Sequence, residues 1–295
     1  MGRRTLQEGQ DLAEYGCAGG GVEMENLRVA AVTMRSIVGN KIENLERMES
    51  ILGQAVREGA QAVCFPELNI SGYSLRKKLD SWAEPIPGPS SEAVVRMARS
   101  HGVLVLAGLV EKGMGGGFFI SHVAVGPEGL LGVYRKIHLG PPEEGIYRAG
   151  DESPVFHHGK TALGIELCFD GHFPELTTLL ALKGAEVVFI PHASPRESSE
   201  KKQERWLRYL AARAYDNSVF VVACNPVGKT ESGLDFSGAA LILNPRGEVL
   251  ADCRDDGEGM IFADLKRETL RGVRESSMGF FLPRRRPELY RKLSG

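Results

Sequence analysis

Cys168 ends the apolar run Gly164-Ile165-Glu166-Leu167, and Phe169-Asp170-Gly171-His172-Phe173-Pro174-Glu175 follow it. A strand pattern that stops abruptly at a thiol, with small and turn-prone residues after it, presents the sulfur instead of packing it. At a strand-to-helix turn the N–H groups of the helix start can face charge developing on a carbonyl oxygen. Alone, a free cysteine is more often a small buried hydrophobe. Two further segments shift that balance. Residues 62–68, Ala-Val-Cys-Phe-Pro-Glu-Leu, bring an apolar run to Glu67, and residues 130–139, Leu-Leu-Gly-Val-Tyr-Arg-Lys-Ile-His-Leu, carry Lys136. Ligands collect at the carboxyl ends of parallel strands, so a glutamate, a lysine and a cysteine at three strand ends can converge on one pocket.

The order and contexts of these residues closely resemble the nitrilase or carbon-nitrogen hydrolase superfamily. The resemblance runs from about Arg28 to Tyr290. It takes in Val29-Ala30-Ala31-Val32, Gly59-Ala60, Arg213-Ala214-Tyr215-Asp216-Asn217, Val221-Val222-Ala223-Cys224-Asn225 and Arg286-Pro287-Glu288-Leu289-Tyr290. It implies a four-layer αββα sandwich, commonly dimerised, and a cysteine nucleophile. Thr33 stands where the family frequently has Gln.

The chemistry follows from these residue types. A thiol with an ordinary pKa of about 8.5 is mostly protonated at neutral pH and needs a base or a favourable field. Glu67 is the candidate base for Cys168, while Lys136 and the backbone N–H of Phe169 face the oxyanion. Attack on an amide carbon then leads through a thioester to hydrolysis. By resemblance, a second glutamate follows the lysine in a Glu-x-x-aromatic context before a glycine. Glu144-Gly145-Ile146-Tyr147, leading to Gly150, fits better than a frame starting at the adjacent Glu143, so Glu144 is expected to orient Lys136. His172, His192 and Arg196 are candidates for substrate binding, the last because a guanidinium fork matches a carboxylate. His138, inside the lysine segment, is expected to be structural. A cysteine protease, which needs a histidine near its nucleophile, is a distant reading.

Within the superfamily, Cys168-Phe169-Asp170 resembles the amidase-like branches, whereas nitrilases typically follow the cysteine with Trp and Glu. The paired arginines of some N-carbamoyl amino acid hydrolases are replaced by Gly171 and His172. The leading expectation is a thiol amidohydrolase for a small linear amide or carbamoyl compound, with water as co-substrate and no metal or cofactor. The alternatives are a nitrilase and a non-catalytic binding or scaffold protein that keeps the fold.

Composition suits one catalytic domain. The chain has 295 residues, 42% hydrophobic and 25% charged, with a net charge of −2. No basic excess marks a nucleic-acid or anionic-membrane partner, and the apolar runs are far shorter than the roughly 20 residues of a membrane helix. Cys17, Cys64, Cys168, Cys224 and Cys253 are odd in number and scattered, unlike a disulfide framework or a zinc site. Residues 1–25 are polar, carry Gly19-Gly20-Gly21 and lack a secretory apolar core. They are expected to form a flexible tail before a single domain at 26–295, in a cytoplasmic protein. The segment from about 273 to 295 is expected at a homodimer or higher homo-oligomer interface.

Strand and helix patterns alternate from Arg28 onward, the rhythm of an α/β fold. Strands are expected near 28–34, 61–66, 103–109, 119–125, 130–136, 161–167, 186–191, 219–224, 238–244 and 259–264. Helices are expected near 41–58, 90–101, 173–183, 199–216 and 265–272. On the helix near 199–216, Trp206, Leu207, Leu210, Ala211 and Ala214 form an apolar stripe, so Trp206 reads as packing. Lys202, Glu204, Arg208 and Arg213 fall mainly off that stripe.

Overall fold

The computed structural model describes residues 22–76, 79–195, 197–230 and 232–290. The first half contains β1 (Leu27–Thr33), α1 (Lys41–Arg57), β2 (Ala62–Cys64), α2 (Pro89–His101), β3 (Leu104–Lys112), β4 (Phe118–Gly126) and β5 (Gly129–Arg135). The second contains β6 (Val155–His158), β7 (Thr161–Ile165), α3 (Pro174–Leu182), β8 (Val187–Pro191), α4 (Ser199–Asn217) and β9 (Phe220–Asn225). It continues with β10 (Gly228–Lys229), β11 (Asp235–Phe236), β12 (Ala239–Leu243), β13 (Val249–Cys253), β14 (Gly259–Leu265) and α5 (Arg267–Arg274).

Two six-stranded sheets result, ordered β14-β1-β2-β3-β4-β5 and β13-β12-β9-β8-β7-β6. The strands β1, β2 and β3 run parallel, as do β7, β8 and β9. Both faces of the central strands are buried, which is why their sequences read as nearly continuous apolar runs. In β1, Val29 and Ala31 point between the sheets while Ala30 and Val32 point to the helices, as the two-residue side-chain period requires. The inter-sheet core joins Ala31, Cys64 and Leu106 to Ile165, Phe189 and Val222. Outer cores lie under α1 and α2 on one side and under α3 and α4 on the other. The αββα sandwich is therefore observed.

Local chemistry explains the helices that frame the site. Asn40 caps α1 by accepting from the Glu43 N–H, and Met48, Leu52 and Ala55 form its buried stripe. Ser198 caps α4 in the same way through the Lys201 N–H. Trp206 is fully buried against the second sheet, as its stripe predicts. Lys202 and Arg213 differ from expectation. Both are buried, and their heads reach backbone carbonyls: Lys202 Nζ donates to Ser194 O at 2.6 Å and Arg213 Nε to Gly171 O at 3.1 Å.

Besides the two-residue strands β10 and β11, the sequence pattern missed β6 and β13. The four residues of β6 end in two histidines, and β13 leaves Val249 and Leu250 exposed, so neither carries the buried alternation by which strands are read. The domain also begins earlier than expected. Val22 and Met24 are buried, and the N–H groups of Glu23 and Met24 donate to Glu186 Oε1 at 2.9 and 3.0 Å, so residues 22–25 belong to the domain and not to a tail. Residues 1–21 lie outside the described residues. Near the other end, Phe280 and Leu282 pack onto the outer core of their own chain, while Met278, Leu289 and Tyr290 are exposed. Among the described residues no helix is long and apolar enough to cross a membrane.

Candidate active site

The chain leaves three strands on the same edge of the sandwich to form this site. Glu67 follows β2, Lys136 follows β5 immediately, and Cys168 follows β7. The strand β5 is antiparallel to β4, and β4 to β3, so β5 runs with β2 and delivers Lys136 to the edge where Glu67 lies.

Lys136 is 1% exposed and donates to Glu67 Oε1 at 2.9 Å and to Glu143 Oε1 at 2.8 Å. Glu143 is saturated, since Oε1 also accepts from Tyr73 OH at 2.9 Å and Oε2 accepts from the Gly140 N–H at 2.7 Å. Glu67 is not: its Oε2 is buried without a hydrogen-bond partner among the described residues. One carboxylate is thus fully held and the other keeps an oxygen free.

The expected second glutamate is corrected here. Glu144 is exposed and extended, whereas Glu143 contacts Lys136. The cause is a 3-10 turn over Pro141–Glu143, which puts Glu143 at its third position, where a glutamate side chain reaches back to the N–H before the turn. The Gly-Pro-Pro-Glu order, with proline at the first helical position, was the sequence signal for that turn.

Cys168 opens a 3-10 turn, Cys168–His172, with φ of +49°. A non-glycine residue is uncommon there, and the strained bend turns the sulfur out of the strand direction. The side chain is partly accessible. The first hydrogen bond of the turn runs from the Asp170 N–H to Leu167 O, so the Phe169 N–H precedes it as one of the orphan donors of a helix start. The backbone N–H of Ala193, just past β8, favours the ionised form of the Cys168 sulfur.

Asp170 joins the lysine and cysteine segments. Its Oδ2 accepts from Tyr134 OH at 2.7 Å and from the Leu167 N–H at 3.0 Å, while Oδ1 accepts from the His138 N–H at 2.7 Å and lies 2.8 Å from His138 Nδ1. His138 also stacks on Phe173, with ring centroids 3.7 Å apart. These contacts tie the His138 ring to the turn that carries Cys168. Sequence reasoning missed Tyr73 and Asp170 as site-shaping residues, because their partners lie far along the chain.

Electrostatics separate Cys168, Glu67 and Lys136. Burial raises Cys168 to about 12, with the Glu67 charge adding and Lys136 opposing, so the resting thiol holds its proton. Burial also raises Glu67 to about 7 against the pull of Lys136. Burial disfavours the Lys136 cation, but Glu67, Cys168 and Glu143 more than offset that, and the ammonium is held above its ordinary value. The site therefore contains a protonated thiol, a carboxyl that exchanges its proton near neutrality, and a fixed cation.

The expected substrate-binding residues do not converge. His192 is 1% exposed and both ring nitrogens are occupied, Nδ1 with Ile190 O at 2.6 Å and Nε2 with Tyr209 OH at 3.1 Å, so it is a packed core histidine. His172 is exposed and rests on Tyr209, with ring centroids 4.3 Å apart. Arg196 lies outside the described residues. A narrow cleft reaches Glu67 between Ser36, Tyr73, Val227 and Phe236. Among the described residues, no group of three or more His, Cys, Asp or Glu is placed to hold a metal ion.

Comparison with known proteins gives a consistent picture. The family model described as carbon-nitrogen hydrolase matches residues 28–275. A Pyrococcus abyssi protein named nitrilase is 34% identical over 268 residues, covering 90% of this chain and 99% of that protein. A Xenopus tropicalis omega-amidase is 31% identical over 245 residues, covering 80% and 87%. Among solved structures, a carbon-nitrogen hydrolase from Helicobacter pylori superposes with a TM-score of 0.83 at 25% identity, covering 91% of this chain and 98% of that one.

Proposed function

Because the chain belongs to the carbon-nitrogen hydrolase family and is an enzyme acting on C–N bonds other than peptide bonds, we propose that Cys168 is its nucleophile, Glu67 its general base and Lys136 its oxyanion cation. The observation that carries this reading is the pairing at Lys136. Two carboxylates hold one ammonium, and only Glu67 keeps an oxygen unspent.

In the first step Glu67 takes the thiol proton as sulfur bonds to the carbonyl carbon of a small linear amide or carbamoyl compound. A thiol raised to about 12 ionises to a negligible extent at neutral pH, so transfer to a carboxylate in concert with attack is required. Lys136 and the Phe169 N–H stabilise the oxyanion. As the tetrahedral intermediate collapses, the C–N bond breaks and Glu67 returns the proton to the departing nitrogen, which leaves as ammonia or amine. Water, deprotonated by Glu67, then adds to the thioester. Collapse breaks the C–S bond, and the thiol recovers its proton from Glu67 as the carboxylic acid leaves. Glu143 touches no reacting atom in this scheme and serves to position Lys136.

A nitrilase is the second reading, favoured by the name of the Pyrococcus relative. The functional unit in this proposal is a cytoplasmic homodimer or larger homo-oligomer without nucleic-acid or membrane partners. The exposed Met278, Leu289 and Tyr290 of the carboxyl-terminal segment are its proposed contact. The deciding experiment is ammonia release from aliphatic amides, ω-amides, carbamoyl amines, carbamoyl amino acids and nitriles, with Cys168→Ala beside the unaltered protein. Release from an amide or carbamoyl class, lost in the variant, supports the proposal. Release from nitriles alone moves the chain to the second reading, and equal release by Cys168→Ala overturns the nucleophile.

A further inference from the structure

Lys202, in the first turn of α4, is a second fully buried lysine near Cys168, and the mechanism above gives it no role. Its side chain is completely inaccessible, yet among the described residues its ammonium makes a single hydrogen bond, to Ser194 O at 2.6 Å. No carboxylate among them lies within ion-pair distance. Glu197, the acid whose charge Lys202 feels most, is engaged with Arg205, which donates to it from Nε at 3.0 Å and lies 2.9 Å from it at Nη2. A buried ammonium satisfied by one neutral carbonyl carries a large desolvation cost with little return, and sites that bind charge are where such costs persist.

Its position gives that cost a purpose. Ala193 packs with Tyr73, whose hydroxyl donates to Glu143 beside Lys136, and the next residue, Ser194, is the one that Lys202 holds. Arg205 Nη2 donates to Ser194 Oγ at 3.0 Å, so two cations flank the same residue of the loop beside the nucleophile. Asn225 locks that loop from the other side, accepting from the Ser194 N–H at 2.8 Å and donating to Ser194 O at 3.2 Å. Ala193 packs with Leu234, Phe236 and Tyr73, which supply an apolar wall for a short methylene chain. The arrangement is a reactive thiol, an apolar stretch and a buried cation with donors to spare.

We propose that Lys202 anchors a carboxylate on the substrate, so that the preferred substrate is a linear amide whose far end is anionic and not a cationic amine. This rests on Cys168 being the nucleophile. A carboxylate brought to Lys202 would add the charge-assisted hydrogen bonds that the protein itself leaves unmade. A cationic tail would meet Lys202 and Arg205 at close range, which selects against it.

The test reads the thiol directly and needs no knowledge of the substrate. Cys168 is alkylated with iodoacetate, which carries a carboxylate, or with neutral iodoacetamide, and the adduct is located by peptide mass. In Lys202→Met the ratio of the two rates should fall roughly 10- to 100-fold, with the iodoacetamide rate nearly constant, and Lys202→Arg should recover part of it. In the unaltered protein, which requires no variant to fold, succinate or glutarate should shield Cys168 from iodoacetamide at concentrations where diols of the same length do not. An unchanged ratio, or dicarboxylates that shield no better than diols, overturns the role of Lys202 and leaves the nucleophile standing. An equal loss with both reagents in Lys202→Met assigns the lysine to holding the Ser194 loop and likewise overturns it. Failure of either reagent to label Cys168 removes the nucleophile assignment and this inference with it.

Discussion

Lys136 and Lys202 are both buried near Cys168, but their surroundings differ in kind. Lys136 is neutralised twice over, by Glu67 and Glu143, and among the described residues every hydrogen bond of its ammonium goes to a carboxylate. Lys202 meets a backbone carbonyl and shares its loop with another cation. Burial acts against both cations, yet Lys136 is held above its ordinary value while Lys202 is pushed down to about 8, by burial first and Arg205 second. The difference shows that burial alone does not define a lysine's role. Paired with carboxylates, it is a permanent charge that the protein has already paid for. Left with neutral acceptors, it is a charge whose partner comes from outside.

The largest effects should come from breaking the Lys136 side. Cys168→Ala and Glu67→Gln are each expected to abolish turnover without loss of the folded state, measured as ammonia release beside circular dichroism. Lys136→Met should lower the chemical rate and also weaken the fold. It leaves two buried carboxylates unpaired, and removing one partner of a buried ion pair costs about 3–5 kcal/mol. Urea denaturation at neutral pH reads that loss, and an unchanged midpoint would show that the carboxylates find other partners.

Glu143→Gln against Glu144→Gln sharpens the comparison further. Loss of the Glu143 charge should lower kcat by roughly 100-fold, because Lys136 loses one of its two anchors beside the oxyanion. Glu144→Gln should leave kcat unchanged. Equal effects would contradict the geometry at Lys136.

The pH profile offers a smaller effect with a definite sign. As the proposed base, Glu67 must be ionised, and burial raises it to about 7, so kcat/KM on a neutral amide should climb as pH rises through about 7. Lys202 moves oppositely: its cation is lost above about 8, so preference for an anionic over a neutral amide should decline across that range. The charged groups acting on it are Arg205 of α4, Glu197 in the preceding loop and Cys168, and the fall should vanish in Lys202→Met. A selectivity that stays flat through pH 9 (about one unit above that midpoint) would place the anion elsewhere.

The readable parts of this protein were those encoded by short contiguous segments. The strand runs into Glu67, Lys136 and Cys168 each carry their own pattern, and the buried alternation of the central strands and the stripe of α4 depend only on local periodicity. Strands β6 and β13 escaped because they are short and largely polar or exposed, whereas β5 and β14, also at sheet edges, carry a readable run. The αββα layering came with the family resemblance, since several α/β architectures share the same alternation of elements.

What tertiary structure alone decided was direction and partnership. The sequence by itself determined that a thiol, a carboxylate and a lysine end three apolar strands, and that two adjacent glutamates follow the lysine. Which glutamate turns inward depended on the 3-10 turn before it and on Tyr73, whose hydroxyl meets Glu143 from 70 residues away. Asp170 ties the cysteine turn to His138, 32 residues distant. Lys202 sits off the apolar stripe in sequence and is buried in space. The physical reason is common to all three. A polar side chain is drawn inside by whichever unsatisfied groups the folded chain places beside it, and those groups come together only when the two sheets close.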